Sequence, residues 1–542
     1  MFFAQHSDLL NKALEAIHAR GYWSPFPESP SPRIYGETAA ADGKAVFDAL
    51  LNKPFDLDLP GTIGTIGNEV SPFGINLNVA YPKVDLDSLI AGMETAAVDW
   101  RAAGPKAWAG VSLEALSRIN KRSFEIANAV MHTTGQPFVM AFQAGGPHAQ
   151  DRALEAIAYA WEEMSHVPAE AHWEKPQGKN EPLKMRKKFR IVPRGIGLVI
   201  GCATFPTWNG YPGLFASLAT GNAVIVKPHP AAVLPLAISV KIIRDVLKEA
   251  GFDPNVVTLV VHDLNDQTAQ QLALRPEVKI IDFTGSSANG NWIENNARQA
   301  QVFTEKAGVN QIIVDSTDDF NGMIRNIAFS LLLYSGQMCT APQNIYVPKA
   351  DANRFSEALA SAVAKYIGET EKAVEFLGAV QSTATLDRIS NARSLGAIVL
   401  DSQQLTHPTF PGARIHTPLI VKLDASEESK FSHEHFGPIA FVIATSGTDE
   451  SLKLATRIAK KQGAMTMSVY STSEAVLAKA EDAAAEAAVP LSENLTGGVF
   501  VNQSAAFSDY HGTGANPAAN ASLTDAAFVA SRFRVAQSRA HV

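Results

Sequence analysis

Two cysteines stand in a chain of 542 residues, Cys202 and Cys339. Two thiols exclude a disulfide framework and a cysteine-rich zinc site. They leave two readings: a pair of buried thiols in a reduced, cytoplasmic protein, or one thiol kept for chemistry. A cysteine attacks only as its thiolate. Its ordinary pKa of about 8.5 must therefore be met by backbone donors, a dipole or a cation. Cys339 lies in YSGQMCTAPQ, and Cys202 follows the apolar run GIGLVIG. Histidine offers little more. His433 and His435 stand two apart in SHEHFGP, and no further ligand gathers around them, so no metal is expected. Gly195 and Gly197 match the Gly-x-Gly-x-x-Gly phosphate turn only in part and read better as a turn after Pro193.

Such residues need rigid elements to position them. The chain is 46% hydrophobic, 18% charged and 8% aromatic, ample for packed cores. That excludes a mainly disordered chain, a collagen repeat and a coiled coil. Lys and Arg number 46 against 54 Asp and Glu, a net charge of −8, which argues against a general nucleic-acid binder. The N-terminal stretch MFFAQHSDLLNKALEAIHARGYW reads as an amphipathic helix and not a signal peptide. Gly195 to Val226 holds 32 residues without a charge or a histidine. Pro206, Pro212 and several glycines break it into strand, loop, helix and strand, so no membrane span is expected.

Helical spacing predicts helices over 113–135, ending at Gly135, and over 151–164. Residues 166–190 are polar, basic at their end, and read as an exposed extension. From 190 to 305 strands alternate with helices: RIVPRGIGLVIG, NAVIVKP, VVTLVV and VKIIDFTG are strand-like, with YPGLFASLATG and LPLAISVKIIRDVLKEAG between them. This predicts a doubly wound parallel sheet. A second α/β block runs from about 310 to 490, with NQIIVD, NIYVPK, AIVLD, PLIVKL, AFVIA and TMSVYS as strands.

Five runs, in their order and spacing, resemble the aldehyde dehydrogenase superfamily: ATGNAVIVKPHP, IDFTGSSANG, FTEKAGVNQIIVD, YSGQMCTAPQNIYV and SHEHFGP. The resemblance covers about residues 90 to 530. It implies an α/β fold with a Rossmann-like cofactor domain, an α/β catalytic domain and a small oligomerisation extension. The boundaries it suggests are an N-terminal extension 1–85, an NAD(P)-binding domain 86–305 carrying an oligomerisation extension 166–192, a catalytic domain 306–505, and a C-terminal return and oligomerisation tail 506–542.

The family's Gly-Gln-x-Cys nucleophile run is matched by Gly336, Gln337, Met338 and Cys339. Its base glutamate corresponds to Glu305, 34 residues upstream, although Lys306 and Ala307 replace the usual Leu-Gly. The implied chemistry suits these residue types. A thiolate makes the aldehyde tetrahedral, hydride leaves for the nicotinamide, and a carboxylate activates water against the resulting thioester. For the cofactor the resemblance implies Lys227 at the adenosine ribose, Phe283, Gly285, Ser286 and Gly290 at the strand end and following helix, and Glu434 and Phe436 near the nicotinamide ribose.

Two departures stand out. The family's oxyanion asparagine is replaced by Thr204; either the Thr204 hydroxyl or the amide of Asn209 could donate in its place. Pro230 stands where many NAD-preferring relatives carry a ribose-gripping glutamate. Without that acid, NADP is expected to be accepted and slightly favoured over NAD. Cys202 reads as packing near the oxyanion site.

The loop AAFSDYHGTGANPAAN and the long N-terminal extension resemble the PaaN group of phenylacetic acid degradation proteins within this superfamily. That implies a semialdehyde substrate, which could carry a CoA thioester. Tyr510, His511, Gly512 and Gly514 read either as the substrate mouth or as an ordinary turn. Two alternatives stay open: a CoA-acylating dehydrogenase, and an inactive binding protein on the same fold. Glu305 argues against the first. The extension and tail imply a homodimer or homotetramer.

Overall fold

Runs of Ile, Val and Leu without polar alternation form strands buried on both faces, as parallel sheets covered by helices require. The computed structural model describes residues 2–523 and 525–542. One sheet contains five parallel strands. Its spatial order is Val257–Leu259, Ala223–Lys227, Ile196–Ile200, Val278–Thr284 and Gln301–Glu305. The winding therefore reverses beside Ile196–Ile200, the first of these strands in the chain. In doubly wound sheets the ligand crevice lies beyond the carboxyl ends at such a reversal. Helices Pro206–Ala219 and Leu234–Glu249 pack against this sheet.

The second sheet has seven strands, ordered Ala397–Leu400, Leu419–Asp424, Ile439–Thr445, Asn344–Pro348, Gln311–Val314, Met467–Tyr470 and Leu491–Glu493. All neighbours are parallel except Ala397–Leu400, which runs antiparallel to Leu419–Asp424. A third sheet is antiparallel and three-stranded, with Asn180–Pro193 between Glu170–Gln177 and Phe533–His541. This is the expected fold class: a Rossmann-like sheet, a second α/β layer and a small β extension. Among the described residues no helix is long and apolar enough to cross a membrane.

Two local expectations need correction. The strand read over 190–201 is two strands in different sheets, Asn180–Pro193 and Ile196–Ile200. Pro193 cannot donate to a ladder, and Gly195 adopts φ +152°, so the chain turns between them. The helix read over 113–135 is also two, Pro105–Lys121 and Ser123–Thr134. Arg122 leaves helical geometry there, with φ −110° and ψ 20°, and its guanidinium grips Glu125. The exposed extension read over 166–190 supplies most of a β-hairpin, Glu170–Gln177 with Asn180–Pro193.

The N-terminal segment packs onto the body of the protein. Helices Phe2–Gln5 and Ser7–Ala19 lie against Pro105–Lys121 and Pro147–Ser165. Leu10, Ala13 and Ile17 face the core, and His6 Nε2 lies 2.7 Å from Glu114. The far end of the chain is anchored by Arg532. Its guanidinium is fully buried and meets both oxygens of Asp282, at 2.6 and 2.8 Å.

Candidate active site

Cys339 follows a turn that only unusual backbone can make. Tyr334, Ser335 and Gly336 all have positive φ, at 52°, 50° and 63°. Such a run is costly for ordinary residues and persists only where its surroundings hold it. Here they do. The Ser335 hydroxyl donates to Gly378 O, and the Tyr334 hydroxyl donates to Thr134 O. Gln337 donates to Ala379 O at 3.1 Å and accepts from Gln381 N at 2.8 Å. A Cβ on Gly336 would lie 2.6 Å from the carbonyl oxygen of Gly437. The Gly-Gln-x-Cys run is thus a clamp: glycine permits close approach to the HFGP segment, and glutamine ties the turn down.

Asn310, which sequence reasoning did not single out, holds the cysteine peptide from the other side. Its amide donates to Cys339 O at 2.7 Å and Ala341 O at 2.9 Å, and its oxygen accepts from Met465 N and Thr466 N. Its only sequence signal was its place just before the strand Gln311–Val314.

Glu305 ends the strand Gln301–Glu305, and its carboxylate is buried. Oε2 accepts from Asn209 Nδ2 at 2.9 Å and lies 3.2 Å from His511 Nε2. Oε1 is buried and carries no hydrogen bond among the described residues. One oxygen is tethered and the other is left to accept a proton. Burial would raise this carboxyl, but the neighbouring His511 and the bonds from His511, Cys339 and Asn209 outweigh it and hold it below the usual range. The thiol is pushed the other way. Burial raises Cys339 well above the ordinary range, and the negative charge of Glu305 adds to this.

His511 completes the cluster. Its Nε2 lies 3.9 Å from Cys339 Sγ, its ring meets the Trp208 edge at 4.5 Å between centroids, and it is buried. The ligand-type atoms of Glu305, Cys339 and His511 all lie within 4.8 Å of one another, a spacing that could also hold a metal ion. The loop reading for Tyr510 and His511 therefore divides. Tyr510 is exposed under the Arg20 guanidinium, while His511 points inward. Gly512 and Gly514, at φ 70° and 72°, make the turn.

The two oxyanion candidates lie on the loop and first helical turn after Ile196–Ile200. Thr204 is half-buried; its carbonyl accepts from Gln136, and its side chain makes no hydrogen bond to Cys339, Glu305 or His511. Asn209 has one amide hydrogen committed to Glu305, and its oxygen accepts from the Cys202 thiol at 3.6 Å. Burial pushes the Cys202 thiol up to about 11. Cys202 packs with Phe205, Trp208, Tyr334 and Met338 in an apolar patch beside the nucleophile candidate.

The cofactor candidates cluster at the carboxyl ends of the five-stranded sheet. Lys227 ends Ala223–Lys227, is buried, and has no hydrogen-bond or ion-pair partner among the described residues. Burial alone brings its ammonium down to about 8. A buried cation without a partner suits a ligand rich in hydroxyl and phosphate oxygens. Pro230 is half-buried just beyond it. Phe283 is buried at the end of Val278–Thr284, Gly285 follows, and the Ser286 side chain caps the helix Ser287–Asn296. Gly290 is accounted for by a neighbour. A Cβ there would lie 2.5 Å from the Lys306 side chain, whose ammonium bonds Asn291 and Glu294. The departure at Lys306 is therefore a structural anchor for that helix.

Glu434 Oε1 accepts from Gly308 N at 3.4 Å, and burial raises its carboxyl to about 7. The Phe436 carbonyl accepts from Arg388. His435 Nε2 lies 3.0 Å from Lys430 O.

A model of the aldehyde dehydrogenase family matches residues 79–514. The solved structure of an NAD-dependent aldehyde dehydrogenase from Burkholderia multivorans superposes with a TM-score of 0.99 at 62% identity, covering 100% of this chain and 99% of that one. A mutant of Thermus thermophilus 1-pyrroline-5-carboxylate dehydrogenase shares the fold, with a TM-score of 0.75 at 20% identity over 96% and 99% of the two chains. The N-succinylglutamate 5-semialdehyde dehydrogenase of Burkholderia lata is 25% identical over 378 residues, 68% of this chain and 74% of that protein. An aldehyde dehydrogenase of a Fusarium species is 28% identical over 250 residues, 46% of this chain and 52% of that protein.

Proposed function

The chain belongs to the aldehyde dehydrogenase family, and from that premise we propose that it oxidises a semialdehyde to a carboxylic acid through a thioester on Cys339. The observation that carries this is the meeting of half-buried Cys339 with buried Glu305 and His511, Glu305 ending the last strand of the doubly wound sheet. Cys339 Sγ attacks the aldehyde carbon and gives a thiohemiacetal. The Thr204 hydroxyl or the remaining Asn209 amide hydrogen donates to the developing oxyanion. A nicotinamide cofactor, when bound, takes up the hydride. Lys227 would hold its ribose, Gly285 and Ser286 its phosphates, and Glu434 and Phe436 its nicotinamide end. Glu305 Oε1 then takes a proton from the water that hydrolyses the thioester.

We assign NAD or NADP as the cofactor. The similar Burkholderia multivorans protein is described as NAD-dependent. Pro230, in place of an acid, removes repulsion of a 2′-phosphate and supports acceptance of NADP as well. The similar Burkholderia lata protein is a semialdehyde dehydrogenase by name, which supports that substrate class. The loop around Tyr510 and the long N-terminal segment support a semialdehyde of aerobic phenylacetate breakdown, with or without a CoA thioester. A cytoplasmic setting fits two unpaired thiols.

The test is a screen of aliphatic, aromatic and CoA-linked semialdehydes with both cofactors. Cofactor reduction with release of the free acid, abolished in Cys339→Ala, is the expected result. An acyl-CoA product that requires added CoA would favour the acylating reading. Turnover that persists in Cys339→Ala would overturn the mechanism.

A further inference from the structure

The site poses a problem that Cys339 and Glu305 do not solve by themselves. Glu305, Cys202 and Glu434 surround the thiol, and each disfavours its ionisation. Glu305 Oε2 already accepts from Asn209 and faces His511. His511 is the one imidazole placed between them. Its Nε2 stands 3.9 Å from Cys339 Sγ and 3.2 Å from Glu305 Oε2. The positive-φ glycines Gly512 and Gly514 turn the loop, and the Trp208 edge holds the ring.

We propose that His511 is the base that ionises Cys339, a catalytic role separate from the water-activating role of Glu305. The Glu305 carboxylate facing Nε2 favours a proton there, so a neutral ring with its own proton on Nδ1 takes up the thiol proton at Nε2. The S–H bond breaks, an N–H bond forms, and a thiolate–imidazolium pair results. The new Nε2–H faces Glu305 Oε2, so the imidazolium lies between two anions and each stabilises it. The thiolate lone pair then forms the C–S bond to the aldehyde carbon, and the carbonyl π pair moves to oxygen. When the thioester is hydrolysed, the thiolate leaves and the pair is restored.

This inference rests on Cys339 being the nucleophile, but its test needs no aldehyde. The full-length protein is alkylated with iodoacetamide across pH 5 to 10, with Cys339→Ala correcting for Cys202. At neutral pH the wild-type rate is expected to exceed that of His511→Gln by about tenfold or more, because the thiolate fraction falls. The rising limb of the variant's profile should move to higher pH. Glu305→Gln should keep a His511-dependent rising limb, while its turnover is lost. His511→Phe, which keeps an aromatic ring against Trp208, checks the result, and cofactor binding followed by fluorescence reports that each variant is folded. Superimposable profiles for wild type and both His511 variants would overturn the proposal. So would a lower rate with an unmoved profile, which is the mark of altered packing. Failure of the broader reading looks different: turnover would then survive Cys339→Ala whatever the alkylation shows.

Discussion

At the residue scale, the two oxygens of Glu305 have different duties. Oε2 is tethered by Asn209 and His511, and Oε1 is free of bonds. Glu305→Gln should therefore lower steady-state turnover by roughly 10²- to 10⁴-fold. It should still release one burst of reduced cofactor per subunit before the thioester stalls. Stopped-flow absorbance checks this; no burst would mean that Glu305 is also needed before hydride transfer. Lys227 makes a pH prediction. Its ammonium is brought down to about 8 by burial, so it is charged below that pH and loses its proton above it. The KM for the cofactor should rise as pH passes 8. Lys227→Met should show a high KM that is flat over the same range.

At the element scale, the nucleophile is held by its turn as much as by its neighbours. Gly336 sits at φ 63° with the Gly437 carbonyl where a Cβ would go. Gly336→Ala must shift one segment or the other, at a cost of about 1–3 kcal/mol. It should lower the melting temperature and reduce kcat more than the cofactor KM. An unchanged kcat would show that the turn does not position Cys339. Asn310→Ala removes two donors to the Cys339 and Ala341 carbonyls and two acceptor contacts to Met465 and Thr466. It should act in the same direction.

At the scale of the whole molecule, the chain's end closes on its middle. Arg532 and Asp282 form a bidentate pair 250 residues apart. Arg532→Ala strands a largely buried carboxylate and should cost about 3–5 kcal/mol, read by chemical denaturation. Beyond it, Phe533–His541 pairs with Asn180–Pro193 on a sheet that leaves Leu183, Val192 and Val535 exposed. A sheet that is mostly uncovered, with unpaired edge strands, is a liability unless something pairs with it. We expect a second copy to do so. Deleting 533–542 should lower the mass seen by light scattering from dimer or tetramer toward monomer. An unchanged mass would place the subunit contact elsewhere.

The amino-acid sequence determined the elements and the class of fold. Unalternated apolar runs specify parallel strands wherever they lie, and YSGQMCTAPQ presents the nucleophile candidate without reference to anything distant. It could not assign the two halves of 180–200 to separate sheets, because one strand or two depends on which partners each half finds. It did not single out Asn310, whose type and setting are unremarkable until four backbone groups converge on it. It named His511 within a loop read either as the substrate mouth or as an ordinary turn. Only the tertiary structure brought that ring to Glu305, across 206 residues of chain, and to Cys339, across 172. The physical reason is plain: strands and turns follow from local sterics and side-chain pattern, whereas a proton-transfer geometry exists only once long-range packing has closed the site.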